Sequence, residues 1–147
     1  MGYTHYWYPK RPFTGGEWDA VGEAVTTLLS NLPTRIVLAN GLGTPGTHPE
    51  MTAKHIELNG QEPDEYETFT MKREPTGDFD FCKTAVRPYD LVVCGILIAM
   101  DLIAPGALNI SSDGDASDWQ PALDWVTRAL GDGYAIPACV VDPERER

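Results

Sequence analysis

The sequence predicts an α+β fold, a mostly antiparallel sheet of about five to six strands with three helices. Two observations predict it. Short apolar segments with two-residue spacing are separated by glycine and proline, and three longer segments have apolar residues at three- and four-residue spacing. The resulting order is β-α-β-β-β-β-α-β-α, in which most strands follow one another directly and therefore pair antiparallel. We expect a single domain over residues 1–141 and a charged C-terminal tail over 142–147.

The strands are predicted from β-favouring residues bounded by turn signals. The first strand is almost entirely aromatic, and alternation places Tyr3, His5 and Trp7 on one face of it. Asn59 and Gly60 are typical of a hairpin turn. The strands are expected over 2–8, 35–40, 53–60, 67–71, 78–84 and 108–111.

The helices are predicted from their spacing and their caps. A Thr-x-x-Glu capping box at 14–17 precedes an apolar stripe over 18–32, which a proline ends. The apolar stretch 88–102 is too long for an ordinary strand and begins with residues that suit a first helical turn, so we expect a central helix there. A third helix is expected from Ser117 or Asp118, with Ser117 and Gln120 in capping-box spacing.

Composition and charge exclude several classes of function. The chain has 147 residues with 22 acidic and 11 basic side chains, a net charge of −11, which argues against nucleic acid as a partner. Its longest apolar stretch, Leu91–Met100, is half of what a membrane span requires. Three separated cysteines and the absence of signal-peptide features predict a cytoplasmic protein with reduced thiols, whereas a homo-oligomer stays open.

Three motifs are weak evidence for a metal or cofactor. The G-x-G-x-x-G at 41–46 is interrupted by prolines and precedes a strand, so a plain loop is expected. The acidic turn 113–118 lacks the glycine and glutamate of a calcium loop, and helix capping explains it. The three histidines have no metal-ligand spacing. We therefore expect no metal, no cofactor and no catalytic residue.

The junction between the strand at 78–84 and the central helix is the most informative segment. It brings Lys83, Arg87 and the Thr84 hydroxyl to a helix start, where unpaired backbone amides and the helix dipole attract anions. The alternative is that both cations pair with carboxylates such as Asp80 or Asp90.

Three segments resemble a family of small uncharacterised proteins from bacteriophage and bacterial genomes. The similar residues are Gly2–Trp7, Phe81–Ala85 with Arg87–Asp90, and Ser111–Gly114 with Trp119 and Gln120. Val86 stands where the family pattern has a basic residue. The resemblance implies no reaction.

We expect a non-catalytic protein that binds a small anion, a nucleotide or a nucleotide-derived signal, at this junction. By analogy with phage proteins, it would sequester a signalling nucleotide in the host cytoplasm. Two alternatives stay open: a phosphoester hydrolase with His5 or Asp113 as general base beside the same cations, and an acidic module that binds a host protein. The candidate ligand-binding residues are Lys83, Thr84, Arg87, Tyr89, His5, Trp7 and Asp113, with Tyr6 as a further stacking residue.

Overall fold

A computed structural model describes residues 3–140 and confirms the α+β class. The expectations for Gly2 and for the tail at 142–147 lie outside these residues. The elements are β1 (Thr4–Pro9), α1 (Gly15–Ser30), β2 (Leu38–Ala39), β3 (Glu50–Met51), β4 (His55–Gly60), β5 (Phe69–Lys72), β6 (Asp80–Lys83), α2 (Asp90–Ile103), β7 (Leu108–Ser112) and α3 (Ala116–Leu130).

The strands form two antiparallel sheets, whereas the sequence predicted one. In the first sheet β1 lies between β6 and β7, so His5 is opposite both Cys82 and Ser112. In the second sheet β4 pairs with β2, β3 and β5. The additional strand is β3, which pairs with β4 over only two residues and carries no apolar pattern of its own.

Helix α2 is the centre of the core. Every residue from Val92 to Met100 is buried, as expected for a helix that is apolar on nearly every side. Helices α1 and α3 pack against it. Trp7 and Phe69 contribute the sheet side of the same core, with ring centroids 5.4 Å apart.

Two local predictions are wrong, because the side chains of Asn59 and Asp115 make hydrogen bonds that the sequence patterns did not indicate. Asn59 makes no hairpin turn: it lies in β4, where its side-chain amide donates to the carbonyls of Gly41 and Tyr66. Helix α3 begins at Ala116, one or two residues earlier than expected, because Asp115 rather than Ser117 is its N-cap and forms the capping box with Asp118. The capping box of α1, Thr14 with Glu17, is confirmed.

The glycine-rich segment 41–46 is a loop, as predicted. Gly43 and Gly46 have positive φ, and the segment leads to β3 rather than to a helix. Within residues 3–140, the helices are all too short or too polar to cross a membrane.

We expect Gly95→Ala to destabilise the protein by about 1–3 kcal/mol, because an added Cβ would lie 2.6 Å from Cζ3 of Trp125 between α2 and α3. The matched control is Gly22→Ala in α1, where a Cβ meets nothing within 4 Å and a gain of about 0.5–1 kcal/mol is expected. Urea unfolding measures both. Equal effects of the two substitutions would contradict the close approach of the helices.

Candidate functional site

Lys83 and Arg87 meet at an exposed aromatic ring. Lys83 Nζ lies 5.6 Å and Arg87 Cζ 5.7 Å from the ring centroid of Tyr66, within the range of cation–π attraction. Among residues 3–140, neither cation lies within 4.0 Å of a carboxylate oxygen, so the expected alternative of pairing with Asp80 or Asp90 does not occur. The three side chains form a surface that we call the cation–tyrosine site.

The loop that carries this site is conformationally strained. Ala85 and Val86 have φ of 52° and 59°, in the left-handed region that non-glycine residues rarely adopt. Backbone amides hold the loop in place: those of Thr84 and Ala85 donate to the Tyr3 carbonyl, and that of Arg87 donates to Thr84. Strain of this kind persists where the surroundings fix it, and it is concentrated at functional sites.

The start of α2 is not the anion cradle that the sequence predicted. The Asp90 amide donates to the Arg87 carbonyl and the Val92 amide donates to the Tyr89 carbonyl. The positive end of the helix carries the carboxylate of Asp90 itself, which also accepts from Thr84 Oγ1 at 2.6 Å. Cation side chains, rather than helix amides, are therefore what an anion would meet at this junction.

An exposed row of aromatic rings lies on the outer face of the first sheet. The ring centroids of Tyr8 and Phe79 are 5.8 Å apart and those of Phe79 and Phe81 are 6.0 Å apart, with nearly parallel planes. Phe81 and Lys83 are two residues apart on β6 and therefore share a face, so the row leads toward the cation–tyrosine site. All three rings are more than two-fifths exposed.

A polar cluster is buried on the opposite face of the same sheet. His5, which is 0% exposed, lies between Ser112 Oγ, 2.7 Å from its Nδ1, and Asp90 Oδ1, 2.6 Å from its Nε2. Cys94 Sγ lies 3.4 Å from the same Nε2. Because a carboxylate only accepts, Nε2 donates a proton to Asp90, and in the neutral imidazole Ser112 then donates to Nδ1. The cluster joins β1, α2 and β7.

Aromatic rings enclose this cluster. Tyr3 and Trp119 contact the His5 ring edge to face, with centroids 5.2 and 5.1 Å away. Burial and the neighbouring Asp90 raise the pKa of Tyr3 well above its ordinary value, so its hydroxyl stays protonated. A Cβ at Gly114 would collide with that hydroxyl, so a larger residue here would displace the Tyr3 ring.

The predicted ligand-binding residues separate into two groups. Lys83 and Arg87 are together at the surface, and Asp113 is on the same outer face, where it accepts from the Thr4 amide at 3.0 Å and from Tyr6 Oη at 3.2 Å. Thr4 pairs with Lys83 on its other side, so two strand spacings, about 10 Å, separate Lys83 from Asp113.

The other group lies inside the protein. Trp7 and Tyr89 are 2% and 1% exposed, so the expectation that they stack on a base is wrong. Thr84 is 0% exposed and bonds to Asp90 rather than facing a ligand. His5 belongs to the buried cluster and faces away from Lys83, which excludes it as a base acting on a ligand held by that cation.

Sequence reasoning missed the rings that surround the cations. Tyr66 follows an acidic stretch, and only the fold brings it to Lys83. Phe79 and Phe81 show two-residue alternation, but this pattern does not tell which face is the core. Asp90, Cys94 and Ser112 are far from His5 in the sequence and carry no shared motif.

Comparisons with protein-family models, with curated proteins and with solved structures find no match for this chain. The resemblance to small phage and bacterial proteins therefore stays a prediction.

A glycine substitution at Val86 tests whether the backbone of this loop is strained. We expect Val86→Gly to stabilise the protein by about 0.5–1 kcal/mol, because a β-branched residue in the left-handed region costs more than the flexibility that glycine adds to the unfolded chain. Val37→Gly is the control, since Val37 is also exposed but has no positive φ, and it should lower stability. If both substitutions destabilise equally in urea unfolding, Val86 is not strained.

Because two cysteine thiols are buried, we expect the protein to lose stability at alkaline pH. Burial raises the pKa of Cys82 from 9.0 to about 12 and raises that of Cys94 well above its ordinary value. The stability that these protonated groups contribute is complete below pH 9 and is lost as the pH rises toward 12, by up to about 1.4 kcal/mol per pH unit for each group. Urea midpoints should fall above pH 9 and fall less in Cys82→Ala; a flat profile would contradict this.

Proposed function

We propose that this protein binds a small anion with an aromatic group, such as a nucleotide or a nucleotide-derived signal, at the cation–tyrosine site. The observation that supports this most directly is that Lys83 and Arg87 share the exposed Tyr66 ring without a carboxylate partner within 4.0 Å in residues 3–140. Two cations held on one ring can each donate to a phosphate oxygen.

The attraction of Lys83 and Arg87 for an anion acts only at short range. With a net charge of −11, the molecule as a whole repels anions, so an anion gains affinity only where it contacts cations directly. The guanidinium of Arg87 can donate two parallel hydrogen bonds to a phosphate, whereas the Lys83 ammonium adds a compact charge beside it. Such contacts select for a multiply charged group over a carboxylate.

Two exposed rings of the protein can stack on the aromatic part of the ligand. Tyr66 is 42% exposed at the cations themselves, and Phe81 presents its 46% exposed ring two residues before Lys83 on the same strand face. Stacking of a base on an exposed aromatic ring contributes about 1–3 kcal/mol and depends little on which base it is. A ligand with both a phosphate and a base therefore fits this face better than inorganic phosphate does.

The fold favours binding over hydrolysis. His5 is buried on the other face, which leaves Asp113 as the general base among the two that the sequence suggested. Asp113 is about 10 Å from Lys83 by strand spacing and is already bonded to Thr4 and Tyr6. A protein that holds a signalling nucleotide without cleaving it would act by sequestration.

The test is calorimetric titration with adenosine and guanosine mono- and triphosphates and with cyclic mono- and dinucleotides. We expect Lys83→Ala and Arg87→Ala each to weaken binding about 10- to 100-fold, the loss of one charged hydrogen-bond donor. Lys54→Ala is the matched control, because it removes the same charge from an exposed lysine in a cleft that none of Lys83, Arg87 and Tyr66 lines.

Three results would contradict the proposal. These are the absence of binding by every nucleotide, equal weakening by Lys54→Ala and Lys83→Ala, and binding unchanged in Tyr66→Ala. Chromatography of the incubated nucleotide separates the alternatives: an intact ligand supports sequestration, whereas a product whose formation Asp113→Asn abolishes supports the hydrolase.

A further inference from the structure

The buried cluster around His5 contains three metal-ligating side chains from two elements. His5 Nε2, a carboxylate oxygen of Asp90 and Cys94 Sγ all lie within 4.8 Å of one another. Asp90 and Cys94 are four residues apart on α2 and thus share a helix face, against which β1 places His5. We propose that this cluster is a binding site for a divalent zinc-class ion.

The donor set fits zinc. One imidazole nitrogen, one thiolate and one carboxylate are the ligand types that Zn²⁺ takes in proteins, and a mixed set with sulfur disfavours Mg²⁺ and Ca²⁺. The two anionic ligands neutralise the charge of the ion. A filled site is therefore electrically neutral, which lowers the cost of burying it.

The separations of Cys94 Sγ from the other two ligands suit a tetrahedral ion. With bond lengths of about 2.3 Å to sulfur and about 2.0 Å to nitrogen or oxygen, a tetrahedral site separates sulfur from either ligand by about 3.5 Å. Cys94 Sγ is 3.4 Å from His5 Nε2 and 3.9 Å from Asp90 Oδ2. His5 Nε2 lies 2.6 Å from the other oxygen of the same carboxylate, Oδ1, and this hydrogen bond is lost when the ion takes the place of the Nε2 proton.

Filling the site moves two protons. The Cys94 thiol loses its proton to solvent, so that the thiolate can bind the ion. The imidazole keeps one proton, which moves from Nε2 to Nδ1 and is donated to Ser112 Oγ, 2.7 Å away. The metal replaces the Nε2 proton between His5 and Asp90, and no oxidant or reductant is needed.

Neighbouring hydroxyl groups orient two of the three ligands. Ser112 orients the imidazole and Thr84 orients the Asp90 carboxylate, which is how metal ligands are usually held by their neighbours. Among residues 3–140, Trp119 Nε1 is the buried side-chain nitrogen or oxygen without a hydrogen-bond partner, and its ring packs on His5. Its N–H can donate to a water or an anion, and such a molecule would supply a fourth ligand. The Asp90 side chain, 16% exposed, offers the route of entry.

Cobalt titration of the full chain tests the site. After treatment with a chelator, one equivalent of Co²⁺ should produce a thiolate-to-metal charge-transfer band in the near ultraviolet, and Zn²⁺ should displace it. Zn²⁺ should also raise the unfolding temperature. Thr84→Val should weaken the affinity for Zn²⁺ about 10-fold, because it removes the group that orients Asp90.

Cysteine variants identify the ligand. The band should be lost in Cys94→Ser and retained when Cys82→Ala and Cys139→Ser are combined, which leaves Cys94 as the one thiol of the sequence. The proposal is overturned if the wild-type protein shows neither the band nor a thermal shift, or if the band survives in Cys94→Ser. If Cys94→Ser does not fold, the wild-type and the combined variant decide.

This site is independent of the nucleotide proposal. Lys83→Ala combined with Arg87→Ala should leave the cobalt band unchanged, since both cations are on the opposite side of the sheet. A band lost in that variant would contradict the separation of the two sites.

Discussion

The hydrogen bonds of the Asp90 carboxylate are the interaction on which the rest of this structure depends. A carboxylate in the first turn of α2 complements the helix dipole, and here it also accepts from His5 on β1 and from Thr84 on the strained loop. Removing it would leave a buried imidazole and a buried hydroxyl without an acceptor, and such a loss costs far more than the bonds themselves contribute. One side chain thus fixes the helix, the sheet and the loop relative to one another.

This arrangement explains why the two sides of the first sheet differ so strongly. On the inner side the polar side chains form hydrogen bonds with one another, and these bonds hold β1, β7 and α2 together. The outer side leaves cations and rings exposed, with Lys83 and Arg87 sharing Tyr66. The backbone of Ala85 and Val86 connects the two sides, and its left-handed geometry is imposed by the hydrogen bonds to Tyr3 on one flank and by Asp90 on the other.

The sequence predicted most of the fold because helix and strand periodicity depend on local spacing. The central helix, the Thr14 capping box and the shared face of His5 and Trp7 on β1 all follow from residues close together in the chain. The pairing of strands does not follow from local spacing, and β3, a strand of two residues, has no periodicity to detect. The sequence indicated Lys83 and Arg87 as candidate residues because of their charge. The burial of Trp7, Tyr89 and His5, in contrast, contradicts the ligand-binding roles expected for them. Burial depends on the whole packing arrangement, which no single segment encodes.

The position of β1 between β6 and β7 has a consequence for the order in which the chain acquires structure. His5 is separated from Ser112 by 107 residues, so both neighbours of β1 exist only after the chain has been made as far as β7. Contacts of such long range form slowly, whereas β4 and β5 can join as soon as each has left the ribosome. During synthesis, the aromatic strand β1 therefore stays without its second neighbour until β7 has been made.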